Sequence, residues 1–283
     1  MNGLGAKGRV FLRERNMRRR SAAMIVICLM LLFAVVLCGA LADDERLAAR
    51  PELRNQPPSA AFWFGTDWLG RDMFVRTLKG LATSIQVGLA GAAVSSLIAA
   101  AAGLIAATGG KTADRIVSWL IDLFLSVPHL VTLILIAFVC GGGLTGIVVG
   151  IGLTHWPGLA RLLRAEALQL KSAPFVQVSA KLGRSKYWIA VRHMLPHLAP
   201  QWLIGFLLMF PHAILHEASI TFLGLGLSPH EPAIGIILNE AMRYLSNGMW
   251  WLAICPGAAL VFIVRLFGIL GERVRLLAEP KRS

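Results

Sequence analysis

Residues 175–196 read FVQVSAKLGRSKYWIAVRHMLP, a basic amphipathic segment that lies between two strongly apolar stretches. The wider region 161–197 carries seven Lys/Arg and one Glu. Its apolar residues recur at helical spacing, and Gly183 permits the positive φ of a turn between two short helices. A polar link of this size with its own helical pattern predicts a surface that docks a cytoplasmic partner. A basic helix lying on anionic lipid is the alternative.

Six apolar runs surround this segment and indicate the fold class, in a chain that is 56% hydrophobic with mean hydropathy +0.67. Each run is close to or above the length that crosses about 30 Å of hydrocarbon as a helix. The third contains Pro128 and is expected to begin as a surface helix. His155 and Pro157 interrupt the fourth, and Pro256 and Arg265 interrupt the sixth, so these three runs are candidates for facing the protein interior. The sequence therefore predicts an all-α polytopic membrane protein with six transmembrane helices, at residues 22–42, 84–107, 116–140, 147–163, 198–222 and 250–270.

The distribution of charge predicts the topology. With the amino terminus inside, 20 of the 28 Lys/Arg fall on inner segments and seven on outer ones, with Arg265 near the end of the last run. This pattern follows the positive-inside rule and places both termini in the cytoplasm. The net charge of +13 is thus a topology signal. Nucleic-acid binding is the weaker interpretation of this charge, because no soluble domain is predicted to carry it.

We expect one membrane domain with short tails. Because the basic leader of the first run is about twenty residues long, we interpret that run as a retained helix and not as a cleaved signal peptide. The four cysteines lie far apart and are interpreted as buried thiols. In order, the predicted parts are a basic cytoplasmic tail (1–20), the first transmembrane helix (21–42), a periplasmic segment (43–83), a transmembrane core (84–271) that includes the cytoplasmic loop 166–197, and a cytoplasmic tail (272–283).

The two outer links carry many turn-forming residues. In the first, Thr66 or Asp67 is expected to cap a short surface helix that leads into the second run. Arg71 and Asp72 form either an ion pair or part of a functional site. The second link, 224–248, contains an apolar stretch that is either a folded cap over a pathway exit or an ordinary loop.

His212 and His216 stand four residues apart in the fifth run, so one helix face presents both imidazoles. This spacing allows both to bind one metal ion. Met209 adds a thioether to the candidate set, and His155 in the fourth run adds a third imidazole. A polar group in a membrane helix is expected to line a pathway. Neutral histidines that hydrogen-bond to neighbouring helices are the alternative.

The basic segment resembles the coupling loop of ABC importer permeases. That family has the pattern EAA, three residues, Gly, nine residues, Ile-x-Leu-Pro. Here the spacing is complete, although Gln-Val-Ser at 177–179 replaces EAA. The resemblance implies that residues 174–188 form the helix that seats in an ATPase groove. The residues it assigns to ATPase coupling are Phe175, Gln177, Ser179, Gly183, Arg184, Leu195 and Pro196.

Two outer motifs narrow the resemblance. Residues 65–72 read GTDWLGRD, similar to the GTDxxGRD signature of the C-type permease in dipeptide, oligopeptide and nickel importers. Residues 217–226 read EASITFLGLG, similar to its EASxSFLGLG segment. Together with the loop, these matches cover roughly residues 60–275. The motif residues are Gly65, Thr66, Asp67, Gly70, Arg71, Asp72, Glu217, Gly224 and Gly226.

The resemblance implies a type I ABC importer permease fold in a bacterial inner membrane. It implies four kinds of partner: a homologous second permease, two ABC ATPase subunits, a periplasmic or lipid-anchored solute-binding protein, and membrane lipid. The chain itself is expected to hold no cofactor and not to be an enzyme, since it has no phosphate-binding loop. ATP and Mg²⁺ are expected in the partner ATPases, whose closure would move the coupling helices.

Nickel, free or chelated, is the expected cargo. Nickel permeases of this type have a similar His-x-x-x-His before the FLGLG segment and a similar His-Trp pair, here His155-Trp156. Di- or oligopeptides are the alternative within the family. From another class, a self-contained secondary transporter commonly has an inverted repeat, and we find none. A membrane enzyme is disfavoured because the sequence shows no nucleophile–base pair and no HExxH.

Overall fold

The computed structural model describes residues 3–227 and 231–278, and of residues 3–16 it describes the backbone alone. Part of the second outer link (228–230) and the end of the predicted tail (279–283, with Lys281 and Arg282) lie outside the described residues.

Helices make up most of the described chain, and no strand forms within it, so the all-α prediction is confirmed. The outer link after the first helix contains two 3-10 turns, Asp44–Leu47 and Pro51–Leu53. The helices are α1 (Gly3–Leu41), α2 (Met73–Thr108), α3 (Lys111–Ser126), α4 (His129–Val139), α5 (Gly143–Thr154), α6 (Trp156–Lys171), α7 (Pro174–Lys181), α8 (Lys186–Ile189), α9 (Leu195–Phe222), α10 (Ile234–Leu245) and α11 (Trp251–Ala278).

Within the described residues, five helical stretches are long and apolar enough to cross a membrane, or six if α3 and α4 form one bent span. The axes of α3 and α4 are inclined by 99° to each other, and the break between them consists of Val127 and Pro128. The predicted break at His155 is also present, because α5 ends at Thr154 and α6 begins at Trp156.

The last run folds as one helix although Pro256 and Arg265 interrupt its apolar pattern, since α11 is continuous and contains both residues. Pro256 lies near the start of the helix, where its ring costs one helical hydrogen bond, and its side chain is buried against neighbouring helices. α9 likewise continues through Pro200 and Pro211. Tertiary packing therefore holds these proline-containing helices together.

α2 is the central helix of the bundle and packs against α1, α3, α5, α6 and α9. Small residues on its surface permit this close approach. A Cβ placed on Gly91 would lie 2.6 Å from Ile151 Cγ2 in α5, and one on Gly103 would lie 3.0 Å from Leu163 Cβ in α6. The α5–α6 pair therefore lies directly on the backbone of α2.

Gly91→Ala is expected to lower the midpoint of thermal unfolding, because its methyl group would overlap Ile151. Overpacking of this kind costs about 1–3 kcal/mol. The matched control is Gly268→Ala in α11, where a Cβ meets no atom within 4 Å. Size-exclusion chromatography of heated, detergent-solubilised protein measures both midpoints. Equal midpoints for the two variants would contradict this packing of α2.

Candidate functional site

Asp67 organises the first outer link. Its side chain is fully buried. Oδ1 accepts hydrogen bonds from the amides of Leu69 at 2.9 Å and Arg71 at 3.0 Å. Oδ2 accepts from Arg71 Nε at 2.6 Å and from Arg76 Nη1 at 3.3 Å. These charge-assisted bonds compensate the loss of hydration of the buried carboxylate.

The same network reaches across to α10. Arg76, at the start of α2, places Nη2 2.5 Å from Glu240 Oε2. Trp68 stacks on Tyr244 with ring centroids 4.6 Å apart and planes inclined by 9°. The outer motif at 65–72 therefore joins the start of α2 to α10, which lies within the second outer link.

The short surface helix expected after Thr66 or Asp67 does not form, since residues 67–72 contain only a turn and extended chain. Asp72 instead caps α2 itself, because its Oδ1 accepts from amides of the first helical turn. Arg71 and Asp72 each form an ion pair, but not with each other. Arg71 pairs with Asp67, while Asp72 pairs with Arg46 at 3.5 Å. The reason is local: the chain turns at Gly70, so the adjacent side chains at 71 and 72 point to different neighbours.

The motif glycines lie where the chain turns. Gly70 has a φ of 78°, and a Cβ there would collide with the carbonyl oxygen of Arg50. Gly65 and Gly224 also have positive φ, and Gly226 lies in the turn after α9.

An open cavity of about 470 Å³ lies where α4, the α5–α6 break and α9 meet. His129, His155 and His216 approach one another at its wall. The ring centroids are 4.4 Å apart for 129–155, 4.5 Å for 129–216 and 5.2 Å for 155–216. One ring nitrogen from each histidine lies within 4.8 Å of a ring nitrogen of each of the other two. His212 and Met209 line the same cavity outside this group of three.

His155 and His216 were predicted from the sequence as candidates, and His129 was not. His129 lies at the first residue of α4, directly after Pro128. Pro128 and His129 were noted only as lying within the third apolar run. In the fourth run His155 also stands close to a proline, Pro157, and that likeness was the available signal.

Glu217 follows His216 but takes no part in the cavity wall. It is fully buried and accepts a hydrogen bond from the Thr221 hydroxyl at 2.9 Å. Its carboxyl group therefore packs on the opposite side of α9.

The basic segment forms two short helices, α7 and α8, on either side of Gly183, which has the predicted positive φ of 79°. Val176 and Ile189 are buried in a small apolar cluster with residues of α2, α6 and α9, and they anchor the loop. Leu182 and Tyr187 at its tip are 75% and 79% exposed. The loop thus has a packed base and an apolar, accessible tip.

The other predicted coupling residues lie around this base. Gln177 Nε2 donates to the Ser172 carbonyl at 3.1 Å. The Ser179 hydroxyl lies 3.0 Å from His193 Nε2. Phe175 stacks on His197. The Arg184 guanidinium lies 4.8 Å from the Trp188 ring centroid. Leu195 and Pro196 are the first two residues of α9.

Asp67→Asn is expected to destabilise the protein by about 3–5 kcal/mol, because it leaves two arginines beside an uncharged buried partner. Asp122→Asn is the control. Asp122 pairs with Arg161 at 2.7 Å, but both side chains are more than half exposed, and such pairs contribute about 0–1 kcal/mol. Thermal unfolding compares the two variants, and a small effect at residue 67 would show that the network is not needed for stability.

Residues 99–283 match the family described as "Binding-protein-dependent transport system inner membrane component". The dipeptide transport system permease protein DppC of Bacillus subtilis is 30% identical over 269 residues, which cover 94% of this chain and 84% of that protein. A protein of Brucella suis biovar 1 named as a peptide permease is 36% identical over 230 residues, which cover 80% of this chain and 76% of that protein.

A solved structure of the MetNI methionine ABC transporter, described as inward facing, superposes with a TM-score of 0.59 at 18% identity. The match covers 74% of this chain and 98% of that chain. This likeness confirms the predicted type I ABC permease fold. Since the family match spans more than half of the sequence and the relatives align over most of it, the chain belongs to the binding-protein-dependent transport system inner membrane components.

Proposed function

We propose that this chain forms part of the pathway through which an ATP-driven importer moves di- or oligopeptides across a bacterial inner membrane. The observation that supports a peptide cargo is the alignment, over 94% of this chain, with a dipeptide transport permease. The Brucella relative, aligned over 80% of this chain, is also named as a peptide permease. Neither of these two names mentions nickel, so peptides replace nickel as the first candidate.

The loop at 174–188 is proposed to dock in an ATPase subunit. Its two short helices lie on either side of the turn at Gly183. Leu182 and Tyr187 project from a base fixed by Val176 and Ile189. A small exposed apolar tip with basic neighbours fits a groove on a protein partner.

The loop is continuous with the cavity wall. α8, the π-helical turn Ala190–Met194 and α9 form one helical stretch, Lys186–Phe222. His216 lies on this stretch. Movement of the loop by a closing ATPase dimer would therefore reach the cavity without crossing a flexible connection.

The remaining partners follow from this role. ATP and Mg²⁺ belong to the two ATPase subunits, and this chain contributes no hydrolytic site. A homologous second permease completes the pathway, and a solute-binding protein delivers cargo to the outer links. The excess of Lys/Arg on the loop and tails supports a cytoplasmic location for both termini.

Gly183→Val is expected to abolish ATP-dependent uptake, because a β-branched residue is strained at a φ of 79° and would reshape the loop. Gly141→Val is the matched control. Gly141 also has positive φ, at 90°, and as at Gly183 a Cβ there meets no atom within 4 Å. Co-purification of the ATPase subunits and peptide uptake are measured in parallel. Normal docking and uptake by Gly183→Val would refute the coupling role.

A second candidate cargo is nickel, free or chelated, and the observation that favours it is the group of three imidazoles in the cavity. Uptake of a radiolabelled dipeptide and of ⁶³Ni²⁺ is compared in cells with the complete transporter and in cells without this chain. We expect loss of dipeptide uptake in the deletion strain. Unchanged dipeptide uptake with loss of nickel uptake would reverse the order of the two candidates.

A further inference from the structure

The group formed by His129, His155 and His216 has two buried ring nitrogens without a hydrogen-bond partner among the described residues, His129 Nδ1 and His155 Nε2. A buried polar atom left unpaired costs about 1–3 kcal/mol. Simple packing of three rings would leave that cost in place. A ligand that accepts lone pairs from both nitrogens would remove it.

The hydrogen bonds of His155 determine which nitrogen is free to bind. Nδ1 lies 3.2 Å from the Ile151 carbonyl oxygen, which can only accept, so Nδ1 carries the proton. The Thr154 hydroxyl donates to the Gly150 carbonyl and accepts a second, 3.2 Å contact from the same Nδ1. Nε2 therefore has the lone pair. A backbone carbonyl that fixes the tautomer of a histidine is the usual support of a metal ligand.

The separations suit a metal ion after a small adjustment. Three imidazole nitrogens at about 2.0–2.1 Å from one ion lie about 3.0–3.4 Å from each other. Here the candidate atoms lie within 4.8 Å of one another. Side-chain rotations that move the ring nitrogens by about 1–2 Å would bring them to these separations. The three residues come from α4, the α5–α6 break and α9, so no two share one helix.

The donor set indicates the class of ion. Neutral imidazoles without a carboxylate suit Ni²⁺, Cu²⁺, Zn²⁺ and Co²⁺, and do not suit Mg²⁺ or Ca²⁺, which require oxygen ligands. The nearest acidic side chain in sequence, Glu217, bonds to Thr221 on the other side of α9.

We propose that His129, His155 and His216 bind a divalent first-row transition-metal ion at the wall of the cavity. The ion arrives either as the hydrated cation or within a chelate that has open coordination positions. His212, one turn before His216 and therefore nearer the inner loop, lines the same cavity and lies where it can receive the ion on its way inward. That the site faces the translocation pathway rests on the proposed function, whereas metal binding itself does not.

The test uses the complete transporter, purified without a polyhistidine tag and stripped of metal with a chelator. It is titrated with NiCl₂, with CoCl₂, and separately with a nickel–histidine complex. Bound metal is counted by mass spectrometry, and the visible absorption of Co²⁺ reports imidazole coordination. We expect one ion for each copy of this chain. His155→Ala and His216→Ala are each expected to weaken binding at least tenfold.

Two further variants keep the test decisive. His216→Gln retains size and polarity without an imidazole, so loss of binding there cannot be attributed to a cavity. His197→Ala removes an imidazole of the inner loop, outside the group of three, and is expected to bind metal normally. Thermal midpoints verify that each variant is folded.

The outcomes separate the two proposals. Absence of bound metal in a transporter that imports dipeptides would overturn the metal site and leave the proposed function intact. Metal binding that depends on the three histidines, in a transporter that does not import dipeptides, would support the metal site and overturn the proposed function. Binding from NiCl₂ but not from the nickel–histidine complex would assign the hydrated cation as the source, and the opposite result would assign the chelate. Equal binding by wild type and His155→Ala would also overturn the site.

Discussion

Backbone amides and carbonyls find no water in hydrocarbon, and each one left unpaired costs several kcal/mol. Helices solve this problem along their length but not at their ends. The breaks between α3 and α4 and between α5 and α6 therefore need local partners. At the second break the Ile151 carbonyl accepts from both the amide and Nδ1 of His155. The same bond that satisfies the end of α5 turns Nε2 of that ring away from the backbone, so a requirement of the membrane fold also orients the imidazole of His155.

At the outer end of the molecule, buried charged side chains compensate one another. Asp67, Arg76 and Glu240 form ion pairs that tie the first outer link to α2 and α10. Such an arrangement is stable only when every member is present, because a single unmatched charge in a buried position is costly. It fixes the geometry of the outer links.

Much of the fold could be predicted from sequence because the rules for membrane helices are local. Apolar length predicted the spans, and Gly183 predicted the turn between α7 and α8. The rest depended on tertiary context. α11 remains one helix through Pro256, because packing outweighs the loss of one hydrogen bond. The short surface helix expected after Thr66 or Asp67 does not form, and Asp72 caps α2, since the turn at Gly70 decides which side chain faces the free amides.

The candidate site was harder to predict, because its residues are distant in sequence. His212 and His216 were linked by helical spacing, yet the group of three joins His216 to residues from two other elements. No periodicity connects His129 with His155, and only the folded arrangement of α4, α5 and α9 brings them together. The choice of cargo likewise depended on the relatives, since three imidazoles describe a chemistry and do not identify a substrate.

The continuous stretch Lys186–Phe222 has a mechanical consequence. It contains 37 residues, which at helical rise correspond to about 55 Å. A rod of that length that pivots about its middle by about 5° moves its two ends by about 2.4 Å in opposite directions. Inward displacement of the loop would then swing the far end outward. A single helix could in this way convert displacement of the loop into a narrower pathway on one side of the membrane and a wider pathway on the other.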